Sequence, residues 1–497
     1  MSVRAAPRPV PVAEPNGAAA PGPVPQLSAQ ERLELLCDAG SLQVIRSAVA
    51  SLRMGERAQP GDGVIGASGT VEGRPVVCYA QDPTFAGGSL GEAHADTIVR
   101  VLRLAADARV PVVGFVQSGG ARMQEGIAAL GGYARIFSQN VALAGRVPQV
   151  SVIAGTSAGG ASYSPALTDF VVMTRDSSMF LTGPGVVRDV LGEDVTAGEL
   201  GGVKVHERNG VCQFSAASDV DSVFLTREIL SYLPQNAWEP PPRRVPAAAP
   251  GDDPAAGVPS ESRRVYDVCR VVRALVDGGE MLEVAPRWAR NVVTSFARIE
   301  GRPLGVVANQ PHYLGGVIDS HAAQKAARFV RSCNAYGLPL LVLVDAPGFL
   351  PGKRQERGGV IRHGAELLHA FCEATVPRVT VVLRKAFGGA YITMNAKDLG
   401  ADLAFAWPGA EIGIMGPRQA VGVVRRREIE AAEDPEDLQD RLAAAYADEH
   451  LGAAAAARQG FVDEVIEPGE TRPRVAAALA MLSRRERRSG DAGDVQL

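Results

Sequence analysis

Two glycine-rich stretches carry the residues whose types and spacing best suit chemistry. The first is Ile153-Ala-Gly-Thr-Ser-Ala-Gly-Gly-Ala-Ser-Tyr-Ser-Pro-Ala-Leu-Thr-Asp169. Its apolar run, Val150 to Ala154, reads as a buried strand that breaks at Gly159-Gly160 and passes into an Ala/Ser/Leu segment of helical character. Such a turn leaves backbone N–H groups converging on one point, and the absent side chains let a ligand oxygen come close. With a second loop nearby this is an oxyanion hole, in which one donor is typically worth about 3–4 kcal/mol as charge develops on a carbonyl oxygen. The same glycines would equally permit tight helix–strand packing. The second stretch, Arg384-Lys-Ala-Phe-Gly-Gly-Ala-Tyr391, repeats the pattern.

The first stretch admits a rival chemistry. Gly155-Thr-Ser157-Ala-Gly159 fits G-x-S-x-G, the nucleophile elbow of serine hydrolases. A hydrolase also needs a histidine oriented by a carboxylate, and spacing singles out none. The counterpart of Ser157 in the second stretch is Ala386, whereas Gly-Gly-Ala occurs in both. The titratable side chains near these motifs are Arg122, Glu125, His206, Asp345, Lys385 and Asp398. None forms a pair with acid–base spacing, so a substrate or cofactor is expected to bring its own base.

The elements that must position these turns occur twice. Val71-Glu-Gly-Arg-Pro75 recurs as Ile299-Glu-Gly-Arg-Pro303, a shift of 228 residues, and at that shift Gly87-Gly88 matches Gly315-Gly316 and Arg100-Val-Leu-Arg103 matches Arg328-Phe-Val-Arg331. One residue later in register, Gly119 matches Gly348 and Gly159-Gly160-Ala161 matches Gly388-Gly389-Ala390. Landmarks in order, drifting by one residue, indicate a tandem duplication. Within each half, strands alternate with helices. In the first half a helix around 96–106, a strand at 112–116, the Ser118-Gly119-Gly120-Ala121-Arg122 turn and a helix around 126–144 precede the first stretch. This predicts α/β domains with ligands at strand C-termini.

Composition sets the frame. The chain has 497 residues, 46% hydrophobic and 21% charged, with a net charge of −4, which gives no reason to expect nucleic acid or an anionic membrane as a partner. No apolar run approaches the roughly 20 residues of a membrane span, no signal-peptide apolar region opens the chain, and a cytoplasmic location is expected. Six cysteines without a C-x-x-C pair and seven histidines without ligand spacing argue against a disulfide framework and a metal site. Residues 1–26 read as a disordered Pro/Ala/Gly-rich tail, with structure starting at the capping box Ser28-Ala-Gln-Glu31. The proline-rich 239–262 reads as an exposed linker between domains at 27–238 and 263–497.

Longer runs resemble the carboxyltransferase (β) subunits of biotin-dependent acyl-CoA carboxylases, the propionyl-CoA and acetyl-CoA carboxylase family. They include Ser118-Gly-Gly-Ala-Arg-Met-Gln-Glu-Gly126, Ala158-Gly-Gly-Ala-Ser-Tyr-Ser-Pro-Ala-Leu-Thr-Asp-Phe170, Leu181-Thr-Gly-Pro184 and Gly192-Glu-Asp-Val-Thr196. Glu199-Leu-Gly-Gly202 with His206, Asp345-Ala-Pro-Gly-Phe-Leu-Pro-Gly352, Ile361-Arg-His-Gly-Ala365 and Ala406-Trp-Pro408 continue the likeness, which covers about residues 27 to 472. The resemblance implies two tandem crotonase-like β/α domains and carboxyl transfer from N-carboxybiotin to the α-carbon of a short-chain acyl-CoA. It implies that Gly159 and Gly160 hold the thioester oxygen and that Gly389 and Ala390 hold the biotin ureido oxygen. Gly119, Gly120, Ala121, Tyr163, Gly348, Phe349, Tyr391 and Ile392 would line the substrate pocket, with Ile392 helping to set acyl-chain preference.

The family's active site lies between the first domain of one protomer and the second of another, so a hexamer built as a trimer of dimers is implied. No Met-Lys-Met biotin-attachment signature and no ATP-binding domain are recognisable. A separate biotinylated α subunit with biotin carboxylase and carrier domains is therefore the expected partner, and biotin arrives on it. A decarboxylase or transcarboxylase component, or a non-catalytic paralogue, would share most of these features. Ile392 stands where propionyl-type members usually carry Asp, Lys353-Arg354 is more basic than the family norm, and the end at Asp494-Val-Gln-Leu497 departs from the family's tail motif.

Overall fold

The computed structural model describes residues 26–261 and 264–483. It contains two eight-stranded sheets of the same design, one per half. The first runs in spatial order Gln43–Ile45, Val64–Val71, Arg74–Gln81, Val112–Ser118, Gln149–Ala158, Phe170–Thr174, Phe214–Ala216. The second runs Met281–Val284, Val292–Ile299, Arg302–Asn309, Leu340–Ala346, Arg378–Phe387, Leu403–Ala406, Glu464–Val465. In both, the first three strands pair antiparallel and the rest are parallel. A short extra strand, Ser178–Phe180 or Glu411–Gly413, pairs with the far end of the long central strand. The parallel strands are continuous apolar runs, such as Leu340-Leu-Val-Leu-Val344, because helices and the other half cover both faces.

The halves share one core. Phe296 of the second sheet meets Phe170 edge-on at 5.7 Å and stacks on Tyr232 at 5.6 Å. The helix Ser320–Ala335 delivers Tyr336, whose hydroxyl donates to Asp169 Oδ2 at 2.6 Å and lies 3.1 Å from the Val147 carbonyl oxygen. Burial raises the Asp169 pKa to about 6, against the lowering effect of Tyr336 and of the Gln149 N–H.

The capping box at Ser28 and Glu31 starts the helix Ala29–Leu36 as the sequence implies. Residues 1–25, Ser262, Arg263 and the C-terminal run 484–497 lie outside the described residues, but the Gln26 amide already donates to the Ala154 carbonyl. The proline-rich stretch from Glu239 is largely exposed and has no regular structure, yet it is fastened to the second half. Arg244 N–H donates to the Gly301 carbonyl, Gly278 N–H to that of Ala248, and Arg384 Nη1 to those of Pro259 and Glu261.

Candidate active site

The first glycine turn sits at the end of the central strand. That strand extends to Ala158, four residues beyond the apolar run, because Thr156, Ser157 and Ala158 pair with Ser178–Phe180. Gly155 inside it leaves room for Gln117: an added Cβ would lie 2.4 Å from Gln117 Nε2. Gly159 then takes φ +61°, and a 3-10 turn Gly159–Ser162 leads into a helix of one turn, Tyr163–Ala166. The helix expected from the Ala/Ser/Leu segment is this short because Thr168 Oγ1 turns back onto the Pro165 carbonyl and the next strand starts at Phe170. The leading N–H groups of the turn have no acceptor one turn back.

A second loop faces it. Leu90 N–H donates to the Gly120 carbonyl at 2.8 Å and Arg122 N–H to the Leu90 carbonyl at 2.9 Å, a parallel bridge between Leu90 and Ala121. In that pattern the Ala121 N–H points away from Leu90. Gly120 lies against the strand end, where an added Cβ would be 3.3 Å from the Ala158 carbonyl. Ala121 and Gly160 thus provide backbone donors on adjoining loops.

The second half rebuilds both parts. Ile318 N–H donates to the Gly348 carbonyl and Leu350 N–H to that of Ile318, which turns the Phe349 N–H outward. Gly388, at φ +57°, opens the helix Gly388–Thr393. The Phe349 ring lies 3.7 Å from where a Gly389 Cβ would stand. Gly88 and Gly316 are glycines for one reason: an added Cβ would come within 2.2 Å of the Gln117 carbonyl or 2.5 Å of that of Asp345.

These bridges correct the sequence register. Gly348 corresponds to Gly120, not Gly119, at the unchanged shift of 228, since Gly120 and Gly348 carry equivalent bonds. The extra residue enters later, between this loop and the central strand, where Ser118 pairs with Ser157 but Ala346 with Ala386. By the same equivalence Gly159-Gly160 corresponds to Gly388-Gly389, one residue before the Gly389-Ala390 pair that the resemblance singles out. Ala390 is fully buried as the third residue of its helix.

The other expected residues fall around these turns. Tyr163 is half exposed and meets Phe137 edge-on. Tyr391 is partly buried, with its hydroxyl 3.4 Å from the Phe461 carbonyl, and Ile392 is half exposed. Ser157 is fully buried and its hydroxyl has no hydrogen-bond partner among the described residues. A buried, unactivated hydroxyl on a strand is not an exposed elbow nucleophile.

The comparisons with known proteins agree on one family. Residues 25–491 match the carboxyl transferase domain. The chain belongs to the carboxyl transferase family. It is 46% identical to the propionyl-CoA carboxylase carboxyltransferase subunit of Haloferax mediterranei, over 94% of this chain and 92% of that protein. It is 45% identical to the methylmalonyl-CoA decarboxylase α subunit of Veillonella parvula, over 93% and 92% respectively. Among solved structures it superposes on the transcarboxylase 12S hexamer crystallised with methylmalonyl-CoA, with a TM-score of 0.90, 45% identity and 93% and 90% coverage. The two sheets are therefore tandem crotonase-like domains.

In this carboxyl transferase, several titratable residues near the motifs are committed to structure. Arg122 Nη1 binds Asp62 at 2.6 Å and Glu125 at 2.9 Å, with all three side chains buried, and Nη2 donates to the Ser89 and Asp62 carbonyls. Burial alone would raise the Glu125 pKa, but the Glu92 N–H, Ser51 and Arg122 together hold it below the usual value. Arg384 pairs with Asp345 at 3.0 Å, and His206 Nε2 lies against the Met179 carbonyl. Asp62, some sixty residues before Arg122, carries no sequence signal as its partner. Among the described residues no cluster of His, Cys, Asp or Glu is suited to a metal, and no helix is long and apolar enough to cross a membrane.

Proposed function

We propose that this chain transfers a carboxyl group from biotin, carried on a separate biotinylated subunit, to the α-carbon of a short-chain acyl-CoA. The observation that carries the reading is the duplicated pair of backbone-donor loops, Ala121 with Gly160 and Phe349 with Gly389. Carboxyl transfer between an acyl thioester and a cyclic urea needs two carbonyl oxygens stabilised as negative charge grows on each. The first pair would hold the thioester oxygen while the α-proton leaves. The second would hold the ureido oxygen, and the Phe349 ring beside Gly389 offers a flat apolar wall to a fused-ring carboxyl donor. When bound, carboxylated biotin supplies the carboxyl group and, once that group departs, a ureido nitrogen basic enough to take the α-proton. This chain then has to bind, align and exclude water, which matches the commitment of Arg122, Glu125, Asp345 and Arg384 to loop architecture.

Each pair completes its site in an assembly of several copies. Ile127 and Leu130, on the helix after the Ala121 loop, and Ile361, on the helix after the Phe349 loop, are exposed apolar side chains suited to such an interface. The assembly in this reading is a trimer of dimers.

The reverse direction has support of its own, since the decarboxylase subunit is about as similar as the carboxylase subunit. The test is purification with a biotinylated partner, followed by ATP- and bicarbonate-dependent carboxylation of acetyl-, propionyl- and butyryl-CoA. Absence of turnover on all three with a competent partner, and of decarboxylation of malonyl- and methylmalonyl-CoA, removes the reading. Ile392 is half exposed on the second turn's helix; in this reading it senses the acyl chain, and Ile392→Asp is expected to shift preference towards propionyl-CoA. An unchanged ratio of kcat/KM values would exclude that role.

A further inference from the structure

A separate cavity of about 510 Å3 opens in the cleft between the two halves. Its wall includes Arg328, Arg331 and Gln324 from the helix Ser320–Ala335, Trp288 from a loop of the second half, Asn209 from the end of the helix Val203–Asn209 in the first, and Glu366. None of the residues that form the two donor-loop pairs lines it. The spacing of Arg328 and Arg331 puts both guanidinium groups on one helix face, one above the other.

Neither cation has a close ion pair among the described residues, although the Asp169 carboxyl acts on Arg328 and favours its charge. Arg328 Nη2 reaches only the Thr168 and Asp169 carbonyls, at 3.4 and 3.5 Å, and Arg331 Nη2 only that of Glu366, at 3.5 Å. Among the described residues neither has a carboxylate oxygen within 4 Å. The Glu366 carboxylate is engaged by His363 Nδ1 at 3.0 Å, and Asp169 by Tyr336. A guanidinium offers five donors in a planar fork suited to carboxylate or phosphate. Two such forks, mostly unfilled and facing one cavity with the Trp288 indole and two side-chain amides, make a receptor short of its anion.

We infer that this cleft is a binding site for a small polyanion bearing phosphate or carboxylate groups, held by Arg328 and Arg331 between the two halves. No residue of its wall belongs to the two donor-loop pairs, and it does not depend on the carboxyltransferase reading. Ala166, which ends the one-turn helix after Gly160, belongs to the same wall, so an occupied cleft braces the backbone behind the first donor turn.

The test is isothermal titration of the full-length protein with inorganic phosphate and, in a second arm, tricarballylate, each against sodium chloride of equal ionic strength. Thermal unfolding and sedimentation run in parallel. Binding near one anion per chain with a raised Tm is expected, and the stronger arm identifies the anion class. Arg331→Gln should weaken binding at least tenfold without changing the assembly's mass. Arg103→Gln, the same change at the duplicated position on the exposed face of the helix Glu92–Ala108, should bind as wild type. No binding above the chloride control, equal weakening in both variants, or an Arg331→Gln protein that alters assembly but not affinity would overturn the inference.

Discussion

The two glycine turns make opposite predictions for one substitution. At Gly160 an added Cβ would stand 2.9, 3.0 and 3.1 Å from three carbons of the Tyr133 ring, whereas ordinary contacts begin at 3.4 Å. Ring or turn must therefore give by about half an ångström, and such overpacking typically costs about 1–3 kcal/mol. Tyr133 is buried and stacked on Phe137 at 5.8 Å, so the turn is the part that moves. A donor displaced by that much forfeits much of its roughly 3–4 kcal/mol, on the order of 100- to 1,000-fold in kcat. At Gly389 the same Cβ would meet only the Phe349 ring, at 3.7 Å, and the backbone N–H survives in either variant. Steady-state carboxylation with the biotinylated partner should show Gly160→Ala losing at least about 100-fold in kcat, with a smaller change in KM for acyl-CoA. Gly389→Ala should stay within about tenfold. A Tm measurement on each variant separates misfolding from lost catalysis. Wild-type kcat in Gly160→Ala, or equal losses in a folded pair, would refute the assignment of the first turn as an oxyanion site held against Tyr133.

Three further outcomes follow from buried groups. Arg122→Met leaves Asp62 and Glu125 buried without a counterion and should destabilise the fold by about 3–5 kcal/mol, read from denaturant midpoints; a loss under about 1 kcal/mol would mean that the carboxylates are not held as charges. Asp169, with its pKa raised to about 6 against about 3.9 unfolded, keeps in the folded chain a proton that the unfolded chain has released between those pH values. Stability should therefore fall as pH rises from about 4 to 6, by up to roughly 2–3 kcal/mol, and level off above. Asp169→Asn can still accept from Tyr336 and the Gln149 N–H, and it should lose that slope when denaturant midpoints at the two ends of the window are compared; an unchanged slope assigns the titration elsewhere. Ser157→Ala should retain full kcat with equal or slightly higher stability, because it removes a buried hydroxyl that has no partner; abolished activity in a folded variant would restore a serine nucleophile.

The duplication and both turns were legible in the sequence because glycine requirements are local. Gly159 and Gly388 need a left-handed φ, and Gly88 and Gly316 need room beside a carbonyl, so each pair stayed glycine as the neighbouring residues diverged. What sequence could not reveal depends on distant chain. The Gly119–Gly348 match failed because the register of that loop is set by its bridge to Leu90 or Ile318, some thirty residues earlier. The Arg122–Asp62 pair and the Tyr336–Asp169 link are likewise long-range, 60 and 167 residues apart.

The halves keep one backbone but differ in how they brace it, and this bears on the proposal that each turn takes a different cargo. Beneath the first turn, Gly155 leaves space for Gln117, whose oxygen takes Arg32 Nη1 at 3.0 Å from the N-terminal helix. At the matching positions of the second half stand Arg384 and Asp345, paired at 3.0 Å, with Arg384 also gathering the carbonyls of the proline-rich connection. At the position after Ala121 the first half carries the buried Arg122 clamp, and after Phe349 the second carries Leu350. The first donor loop is thus pinned by charge and leaves only the methyl of Ala121 at its tip. The second carries Leu350 in place of that clamp and presents the Phe349 ring. A narrow tip suits a thioester carbonyl on a long flexible chain, whereas an aromatic wall suits a flat bicyclic urea. Carboxyl transfer requires that asymmetry, because two identical pockets would bind the same substrate twice.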